Sequence, residues 1–316
     1  MLGQLRFMQL IRGIHNITPK FRGCVLTIGN FDGVHLGHQE VLNGLKSKAK
    51  SLGLPSTVMT FEPQPQELFS GDKAPARLSR LREKLSLLND YGIERLLCVR
   101  FDAKFSAMTA QEFIEQLLVN KLGVKFLVVG DDFRFGHHRV GDFEMLKQAG
   151  QKHGFEVIST QSLKVSQMRV SSTLIREHLA QGDITTATQM LGHPFVISGR
   201  VRHGQKLGRT IGFPTANIAL DRKVSPVQGV FAVEVVFEGD SYQGVANIGQ
   251  RPTVNGTRIQ LEIHLFDFQG DIYGKCLDTH VLHKIRAEKK FDSFDLLKQQ
   301  IKRDVIDAKA YFSSVK

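Results

Sequence analysis

The sequence predicts an α/β protein with two domains: a doubly wound parallel sheet, followed by an antiparallel β-barrel that a helix closes. The length of 316 residues exceeds that of a usual single domain. Up to about residue 190, short apolar runs alternate with amphipathic stretches, which favours a parallel sheet covered by helices. Beyond that point polarity alternates with a period of two residues, which indicates half-buried antiparallel strands.

Apolar runs and helical periodicity place the elements of the first half. The candidate strands are Cys24–Ile28, Thr57–Phe61, Leu96–Phe101, Phe126–Val129 and Val157–Thr160. The candidate helices are Gln39–Leu52, Leu78–Tyr91, Ala110–Leu122 and Phe143–Gly154. Ligands of such sheets bind beyond the carboxyl ends of the strands. The residues that follow each strand are therefore the first candidates for function.

The second half contains three clear strands and a closing helix. The strands are Phe231–Phe237, Ile259–Leu265 and Thr279–Ile285, and the helix covers about Ser293–Phe312. Turn-rich Glu238-Gly-Asp and Gln269-Gly-Asp separate or end the strands, as in a barrel of short hairpins. We place the domain boundary between Gly182 and Pro194, with domains at 1–185 and 186–316.

Composition narrows the class of protein. No apolar run approaches the ~20 residues that span a bilayer, and the start lacks a secretory h-region, so we expect a cytoplasmic protein without a membrane partner. The formal charge of +11 fits an anionic partner. Because the basic residues are scattered, we expect nucleotides rather than nucleic acid. Cys24 and Cys98 lie in strand-like runs, where a buried, reduced thiol is usual, and Cys276 stands far from both.

Three segments of the first half carry candidate phosphate chemistry. In Gly29–His38 the glycines let a phosphate approach the backbone, and His35 and His38 share one helix face. Gly130–Gly136 follows a predicted strand, and Ser171–Arg176 offers hydroxyls and a guanidinium to phosphate oxygens. Each segment alone also fits a turn, a solvated helix start or a simple cap. Their joint occurrence favours a nucleotide-phosphate site.

A glycine-rich segment opens the second half. Its glycines and basic residues suit a flexible loop over phosphates, although a hairpin gives a similar pattern. Thr215 and Asn217 are two apart, so in an extended segment they face the same side. Their hydroxyl and amide oxygens suit a Mg²⁺ that keeps several waters and binds nucleotide phosphates.

Two motifs of the first half resemble those of a known superfamily. Gly29-x-Phe-Asp-Gly-x-His-x-Gly-His and Ser171-Ser-Thr-x-Ile-Arg resemble the signatures of the nucleotidylyltransferase superfamily, whose sheet is Rossmann-like. This version is similar to the flavin-adenylylating module of bacterial bifunctional riboflavin kinase/FAD synthetases, and Gly130-Asp-Asp-Phe-Arg-Phe-Gly fits that family too. The resemblance implies that the FMN phosphate attacks the α-phosphorus of ATP. FAD and pyrophosphate then form without a covalent enzyme intermediate.

The same resemblance assigns roles in the first domain. It implies that His35 and His38 stabilise the transition state and orient the triphosphate, while Ser172, Thr173 and Arg176 hold the β- and γ-phosphates. The further residues that it assigns to ATP are Gly29, Phe31, Asp32, Gly37 and Ser171. Those that it assigns to flavin or nucleotide are Asp131, Phe133 and Phe61, the last in Phe61-Glu-Pro-Gln-Pro, which also fits a plain proline-rich turn.

In the second domain, Gly212-Phe-Pro-Thr-Ala-Asn resembles the signature of riboflavin kinases, and the resemblance continues in Gly244–Thr253 and Leu261–Phe268. It implies that Glu262 is the general base that takes the proton from the riboflavin 5′-hydroxyl. It also implies that Arg286 touches flavin. The residues that it assigns to ATP and its phosphates in this domain are Gly204, Lys206, Gly208, Thr210, Gly212, Phe213 and Pro214. A solvated strand glutamate and a surface charge run are the alternative interpretations of Glu262 and Arg286.

The whole pattern implies an enzyme that makes FMN from riboflavin and then FAD from FMN, using ATP twice with Mg²⁺ and no tightly bound redox cofactor. Riboflavin, FMN, FAD and ATP are the expected partners, and the oligomeric state stays open. Three alternatives remain. Transfer to a pantetheine or choline-type phosphate would leave the kinase signature unused. A nucleic-acid-binding barrel would have only Phe266 and Phe268 for base stacking. A non-catalytic flavin binder would need neither His35 and His38 nor Glu262.

Overall fold

The computed structural model describes residues 8–163, 170–203, 212–220, 224–253 and 256–315. The chain forms two compact units. The first consists of Met1–Pro75 and Lys84–Arg169, and the second of Ala76–Glu83 and Val170–Lys316. Residues 170–185, which the sequence assigns to the first domain, are therefore counted with the second unit. The boundary between 185 and 186 stays a prediction.

The first unit is built on a six-stranded parallel sheet, which confirms the predicted fold class. Its strands are β1 Gln9–Arg12, β2 Cys24–Ile28, β3 Ser56–Glu62, β4 Arg95–Arg100, β5 Val124–Val129 and β6 Glu156–Ser159, in the order β1-β4-β3-β2-β5-β6. The sequence identified five of them. It missed β1, an edge strand of four residues, too short for its alternating polarity to stand out.

Helices cover both faces of this sheet, which explains why the central strands read as continuous apolar runs. The helices are α1 Leu36–Leu52, α2 Pro65–Ser70, α3 Leu81–Asp90, α4 Ala103–Ser106, α5 Ala110–Glu112 with its π-helical continuation Phe113–Leu122, and α6 Phe143–His153. α5, its continuation and α6 pack on the face that carries Leu26, Met59 and Leu97. Because side chains alternate along a strand, Val58 and Thr60 point to the other face, where α1 packs on β2 and β3.

The strand order creates a switch point between β2 and β5. After β2 the chain continues to β3 and β4 on one side, and it then returns to β5 on the other side of β2. Ligands of open parallel sheets bind at such points, beyond the carboxyl ends of the strands. Here Gly29–His38 follows β2 and Gly130–Gly136 follows β5. The Thr27 hydroxyl also donates to the Val128 carbonyl at 2.9 Å, which ties the two strands together near that end.

The second unit is a closed barrel of six antiparallel strands, as the sequence predicts. Its strands are β7 Phe195–Arg202, β8 Ala216–Ala219, β9 Gly229–Phe237, β10 Asp240–Thr253, β11 Gly256–Leu265 and β12 Cys276–Arg286, in the order β10-β11-β8-β7-β12-β9. The predicted turn Glu238-Gly239 joins β9 to β10, with φ of 52° and 96°, as a two-residue hairpin turn requires. The polarity of β7, β8 and β10 does not alternate clearly, so the sequence analysis missed these three strands.

Helices complete the second unit. α7 Ser172–Gln181 and α8 Ile184–Leu191 contribute Ile175, Leu179 and Leu191 to the core cluster that fills the barrel. The predicted closing helix is α9 Phe294–Ser314, and Ala308 and Phe312 pack it on the outer face of the strands. In the part of the chain that the structure describes, no helix has the length and apolarity that crossing a bilayer requires.

We expect alkaline pH to destabilise the first unit through Cys24, because burial raises the pKa of this thiol from 9.0 to about 12. The folded state then holds the proton to a higher pH than the unfolded chain does. The stabilisation is therefore complete below about pH 9 and is lost as the pH rises towards 12. The free energy of unfolding should fall by about 1.4 kcal/mol per pH unit in that window.

Denaturant titration of the wild type and Cys24→Ala at about pH 8 and about pH 10.5 measures this effect. The variant starts less stable because a buried side chain is shortened. It should nevertheless lose less stability than the wild type between the two pH values. Equal losses would contradict the assignment to Cys24.

Candidate active sites

The loop after β2 adopts an unusual backbone conformation. Phe31, Gly33 and Val34 have φ of 46°, 79° and 40°. Only glycine adopts such values freely, so Phe31 and Val34 are held there by their surroundings. Both are buried, as is Asp32 between them. A β-carbon at Gly29 would come within 3.2 Å of the Phe31 ring, which explains why a glycine opens the loop. Residues held in such conformations cluster at functional sites.

The two histidines of this loop lie together, as their spacing predicts. His35 is the N-cap of α1 and is only 6% exposed, while His38 lies in the first turn. Their rings stack with centroids 3.6 Å apart and an angle of 20°, and Phe31 lies against His38 at 5.0 Å. Gly37, the second helical residue, has no side chain to shield the backbone N–H groups of the helix start. Imidazole nitrogens and a helix N-terminus together can receive a phosphate group.

Phenylalanines surround the carboxyl ends of neighbouring strands. Phe61 lies within β3, and Phe101 directly follows β4. Phe61 contacts Phe101 and Phe105 at 5.6 and 5.9 Å, and the 69% exposed Phe69 contacts Phe101 at 5.8 Å. Phe133, after β5, stacks on a buried phenylalanine two residues further on, with centroids 5.7 Å apart. Aromatic side chains with an exposed edge can stack on a flat ring system. The predicted residue Asp131 is exposed at the start of that loop.

One polar side chain at this edge was quoted in the sequence motif but given no role. Gln64 is the N-cap of α2 and shares a capping box with Glu67, whose carboxylate accepts the Gln64 N–H at 2.9 Å. The Gln64 side chain is only 6% exposed, yet its amide nitrogen Nε2 finds no hydrogen-bond partner among the described residues. Buried donors are nearly always satisfied in folded proteins. A substrate acceptor atom would satisfy this one.

The third predicted phosphate segment begins α7. The Ser171 hydroxyl caps the helix by accepting the Leu174 N–H at 3.3 Å, as the cap interpretation expects. The Arg176 Nε–H donates to the Ala76 carbonyl at 2.5 Å. Ser172 begins the helix, and Thr173 is exposed on it. These residues belong to the second compact unit. Their assignment to ATP phosphates stays a prediction from the sequence.

In the barrel, strand register brings Glu262 next to a predicted metal ligand. Glu262 on β11 lies opposite Asn217 on β8 and, on its other side, opposite Asn247 on β10. Directly paired residues have their β-carbons about 5 Å apart on the same face. The Asn217 side-chain oxygen also accepts a hydrogen bond from Gln260 at 2.6 Å. Asn247 was quoted within a motif without a role, because only the register of β10 with β11 reveals that it lies beside Glu262.

The second predicted metal ligand lines a cavity. Thr215 precedes β8, and its carbonyl accepts the Asn217 amide at 3.3 Å. A cavity of about 340 Å³ opens beside it at one end of the barrel. Its lining is mainly apolar: Val201, Pro214, Thr215, Ala216, Ile263, Leu265, Phe268, Gly270, Asp271, Ile272 and Tyr273. Apolar walls with a few polar groups are typical of nucleotide-sized ligand sites. The sequence analysis gave Gln269-Gly-Asp only as a turn, because the loop Gly270–Tyr273 becomes a cavity wall only in the folded barrel.

His264 holds the signature segment in place. Its Nδ1 lies 2.9 Å from the Pro214 carbonyl, and its ring meets Phe213 edge-on at 5.2 Å. Gly212 has a φ of 84°, which suits glycine and starts this turn. The other predicted residues of the glycine-rich loop, Gly204, Lys206, Gly208 and Thr210, lie outside the described residues.

The predicted flavin residue Arg286 forms an ion pair with the closing helix. Its Nε and Nη2 donate to the two carboxylate oxygens of Asp304 at 2.8 and 2.7 Å. Asp304 is only 3% exposed, and Gln300 donates to it at 3.0 Å. The pair therefore anchors the end of β12 to α9. The flavin role of Arg286 stays a prediction.

The candidate metal ligands in the barrel are a hydroxyl and an amide oxygen, and not a cluster of histidines and carboxylates. Among the described residues no group of three or more His, Cys, Asp or Glu side chains could hold a metal ion. Thr215 and Asn217 fit Mg²⁺, which takes few protein ligands and keeps water and phosphate oxygens. The Asn217 oxygen accepts one hydrogen bond and retains a second lone pair for a metal.

Two family models match successive parts of the chain. A family model described as FAD synthetase matches residues 17–174, and one described as riboflavin kinase matches residues 191–312. The chain is 56% identical over 311 residues to the bifunctional riboflavin kinase/FMN adenylyltransferase of Escherichia coli K12, covering 98% of this chain and 99% of that protein.

Proteins with the same name in Haemophilus influenzae and Pseudomonas fluorescens are 54% and 49% identical and cover 97% and 96% of this chain, and 100% and 97% of their own lengths. Among solved structures, a crystal structure titled macrolide-efflux protein from Streptococcus pneumoniae aligns with a TM-score of 0.77 at 33% identity, over 94% of this chain and 97% of that one.

A parallel sheet with two histidines at its switch point and a barrel with a glutamate between two asparagines, matched by an FAD synthetase and a riboflavin kinase model, define a two-domain ATP-dependent transferase. At this identity over nearly its full length, the chain belongs to the family of bifunctional riboflavin kinase/FMN adenylyltransferases. The adenylyltransferase precedes the kinase, as the resemblance in the sequence implies.

We expect Asp304→Ala to destabilise the barrel by about 3 kcal/mol, because it leaves the Arg286 charge partly buried without its bidentate partner. Thermal unfolding followed by circular dichroism measures the change. Lys275→Ala is the matched control, since it breaks an exposed ion pair with Glu238 and should leave the midpoint unchanged. A control shift as large as that of Asp304→Ala would contradict the special role of the buried pair.

Proposed function

We propose that this chain carries out both reactions of its family with the residues described above. Riboflavin and ATP give FMN and ADP in the barrel, and FMN and a second ATP give FAD and pyrophosphate at the parallel sheet. The carrying observation is that each domain unites its own motif residues: His35 with His38 at the switch point, and Glu262 with Asn217 across two strands. Glu262 and Asn217 are far apart in sequence, so only the fold brings these two residues together.

For adenylyl transfer, we assign the reacting phosphates to the start of α1. The FMN phosphate oxygen attacks the α-phosphorus of ATP, and the bond to pyrophosphate breaks. His35 and His38 donate hydrogen bonds to phosphoryl oxygens where negative charge develops, which lowers the barrier without a covalent intermediate. Gly29, Phe31, Asp32 and Gly37 shape the backbone around the nucleotide.

The aromatic edge of the same sheet supports a flavin site. The isoalloxazine is a flat ring system, and Phe61, Phe101 and Phe105 form a cluster that the exposed Phe69 continues. Stacking on such rings would bind the flavin independently of its phosphate. Gln64 would donate its buried amide to an acceptor atom of the ring, which accounts for its unsatisfied Nε2.

For the kinase reaction, Glu262 removes the proton from the riboflavin 5′-hydroxyl, whose oxygen attacks the γ-phosphorus of ATP and releases ADP. Thr215 and Asn217 would hold Mg²⁺, which neutralises phosphate charge when bound. The cavity beside Thr215 has apolar walls suited to the base of ATP. Arg286 would contact the flavin from the end of β12. The location consistent with two ATP-consuming steps is the cytoplasm, and the proposal includes no nucleic-acid or membrane partner.

Two substitutions should separate the activities. His38→Ala should lower FAD formation from FMN by about 100-fold, because a donor to the transition state is lost, while FMN still accumulates from riboflavin. Glu262→Gln should stop FMN formation and still adenylate supplied FMN. Chromatography of the flavins after incubation with riboflavin or FMN, ATP and Mg²⁺ measures both.

Glu234→Gln is the matched control for Glu262→Gln. It removes the charge of another strand glutamate in the barrel, one that lies 3.8 Å from His280, and both activities should persist. Unchanged FAD production in His38→Ala would refute the role of that histidine. If the wild type forms neither FMN nor FAD, the proposed function itself is wrong.

We expect Gln64→Glu to raise the KM for FMN in adenylyl transfer by about tenfold, because an acceptor replaces the amide donor at nearly constant size. Steady-state kinetics with FMN as the varied substrate measures this, and riboflavin kinase activity is the internal control. If the amide serves no ligand, the KM for FMN should stay at the wild-type value.

A further inference from the structure

A fully buried lysine lies beneath the adenylyltransferase site. Lys84 on α3 is only 1% exposed and is among the largest fully buried side chains of the protein. Lysine is almost never fully buried unless it is paired, since removing its charge from water is costly. The sequence analysis did not single it out, because a lysine in an amphipathic helix usually lies on the solvated face. A fully buried lysine at the base of a candidate site is therefore itself a candidate for function.

The lysine reaches the loop after β2 through one hydroxyl group. Its Nζ donates to the Thr60 Oγ1 at 3.4 Å, and the Thr60 hydroxyl donates to the Asn30 carbonyl at 3.3 Å. A hydroxyl has one donor and two acceptor sites, so it can serve both bonds at once. Thr60 is itself fully buried. Asn30 directly precedes Phe31, the first non-glycine residue of the loop with a left-handed conformation.

The two hydrogen bonds of Thr60 end at the loop whose backbone conformation has to be stabilised by its surroundings. Strained conformations such as those of Phe31 and Val34 persist only when the surroundings hold them. On the same face of the sheet, α1 packs on β2 and β3 and presents His35 and His38 at its start.

We propose that Lys84 is a positioning residue for adenylyl transfer. Through Thr60 it fixes the Asn30 carbonyl, and thereby holds the loop from Gly29 to Val34 in the conformation that receives the phosphates. The inference rests on the proposed adenylyltransferase site. It predicts that losing either member of the relay slows the chemical step more than it weakens substrate binding.

The test compares Lys84→Met, Thr60→Val and the double variant. Both replacements nearly preserve size and remove the polar group. The kcat for FAD formation from FMN should fall roughly ten- to a hundredfold, with smaller changes in the KM for ATP and FMN. Because both residues act through one relay, the double variant should be no slower than the slower single variant. Lys46→Met is the matched control, since that partly buried lysine donates instead to the Tyr91 carbonyl at 2.7 Å.

The outcomes discriminate between positioning and mere structure. A purely structural buried charge can be replaced by methionine at little cost or with a gain in thermal stability, so a folded Lys84→Met with wild-type kcat overturns the inference. Multiplicative effects in the double variant also overturn it. If Lys84→Met does not fold, Thr60→Val decides: a wild-type kcat refutes the relay and a lowered one supports it. Wild-type FAD formation, measured alongside, separates these results from failure of the proposed function.

Discussion

Backbone pairing between strands is the constraint on which both candidate sites depend. In the parallel sheet, pairing of β2 with β5 brings Gly29–His38 and Gly130–Gly136 to the same end of the sheet. In the barrel, antiparallel register sets Glu262 directly between Asn217 and Asn247. Buried backbone groups must be hydrogen-bonded, which keeps the strands paired. Because side chains alternate along a strand, a slip of one residue in this pairing would move every side chain to the opposite face. Register therefore positions the chemistry in both domains.

The loops of the two candidate sites are held in place by different interactions. After β2, tight packing and left-handed backbone conformations fix the turn that presents the stacked histidines. At the barrel mouth, His264 holds the Gly212–Thr215 segment by a hydrogen bond and a ring contact. In both cases the polar chemistry stands on a rigid apolar core, which is the arrangement that transfer reactions relying on positioning require.

The motifs and most strands could be predicted from the sequence because they depend on residues that are close together along the chain. Alternating polarity with a period of two residues identified β9, β11 and β12. Apolar runs identified the five strands from β2 to β6. The two histidines lie together because a spacing of three residues places side chains on one helix face. By contrast, β1 was missed because four residues carry too little pattern. The helix α3 begins at Leu81 rather than Leu78, where the Glu83 carboxylate accepts the Arg80 N–H at 2.7 Å.

By itself the sequence determined the fold class, the order of the two domains and the family, because periodicity, turn residues and contiguous motifs survive without coordinates. Only the tertiary structure decided which distant side chains are neighbours. It put Asn247 beside Glu262, gathered the phenylalanines that follow several strands, and placed Lys84 under the loop that carries Asn30. These contacts join residues that are far apart along the chain, and their geometry follows from strand order, register and helix packing, which no local pattern encodes.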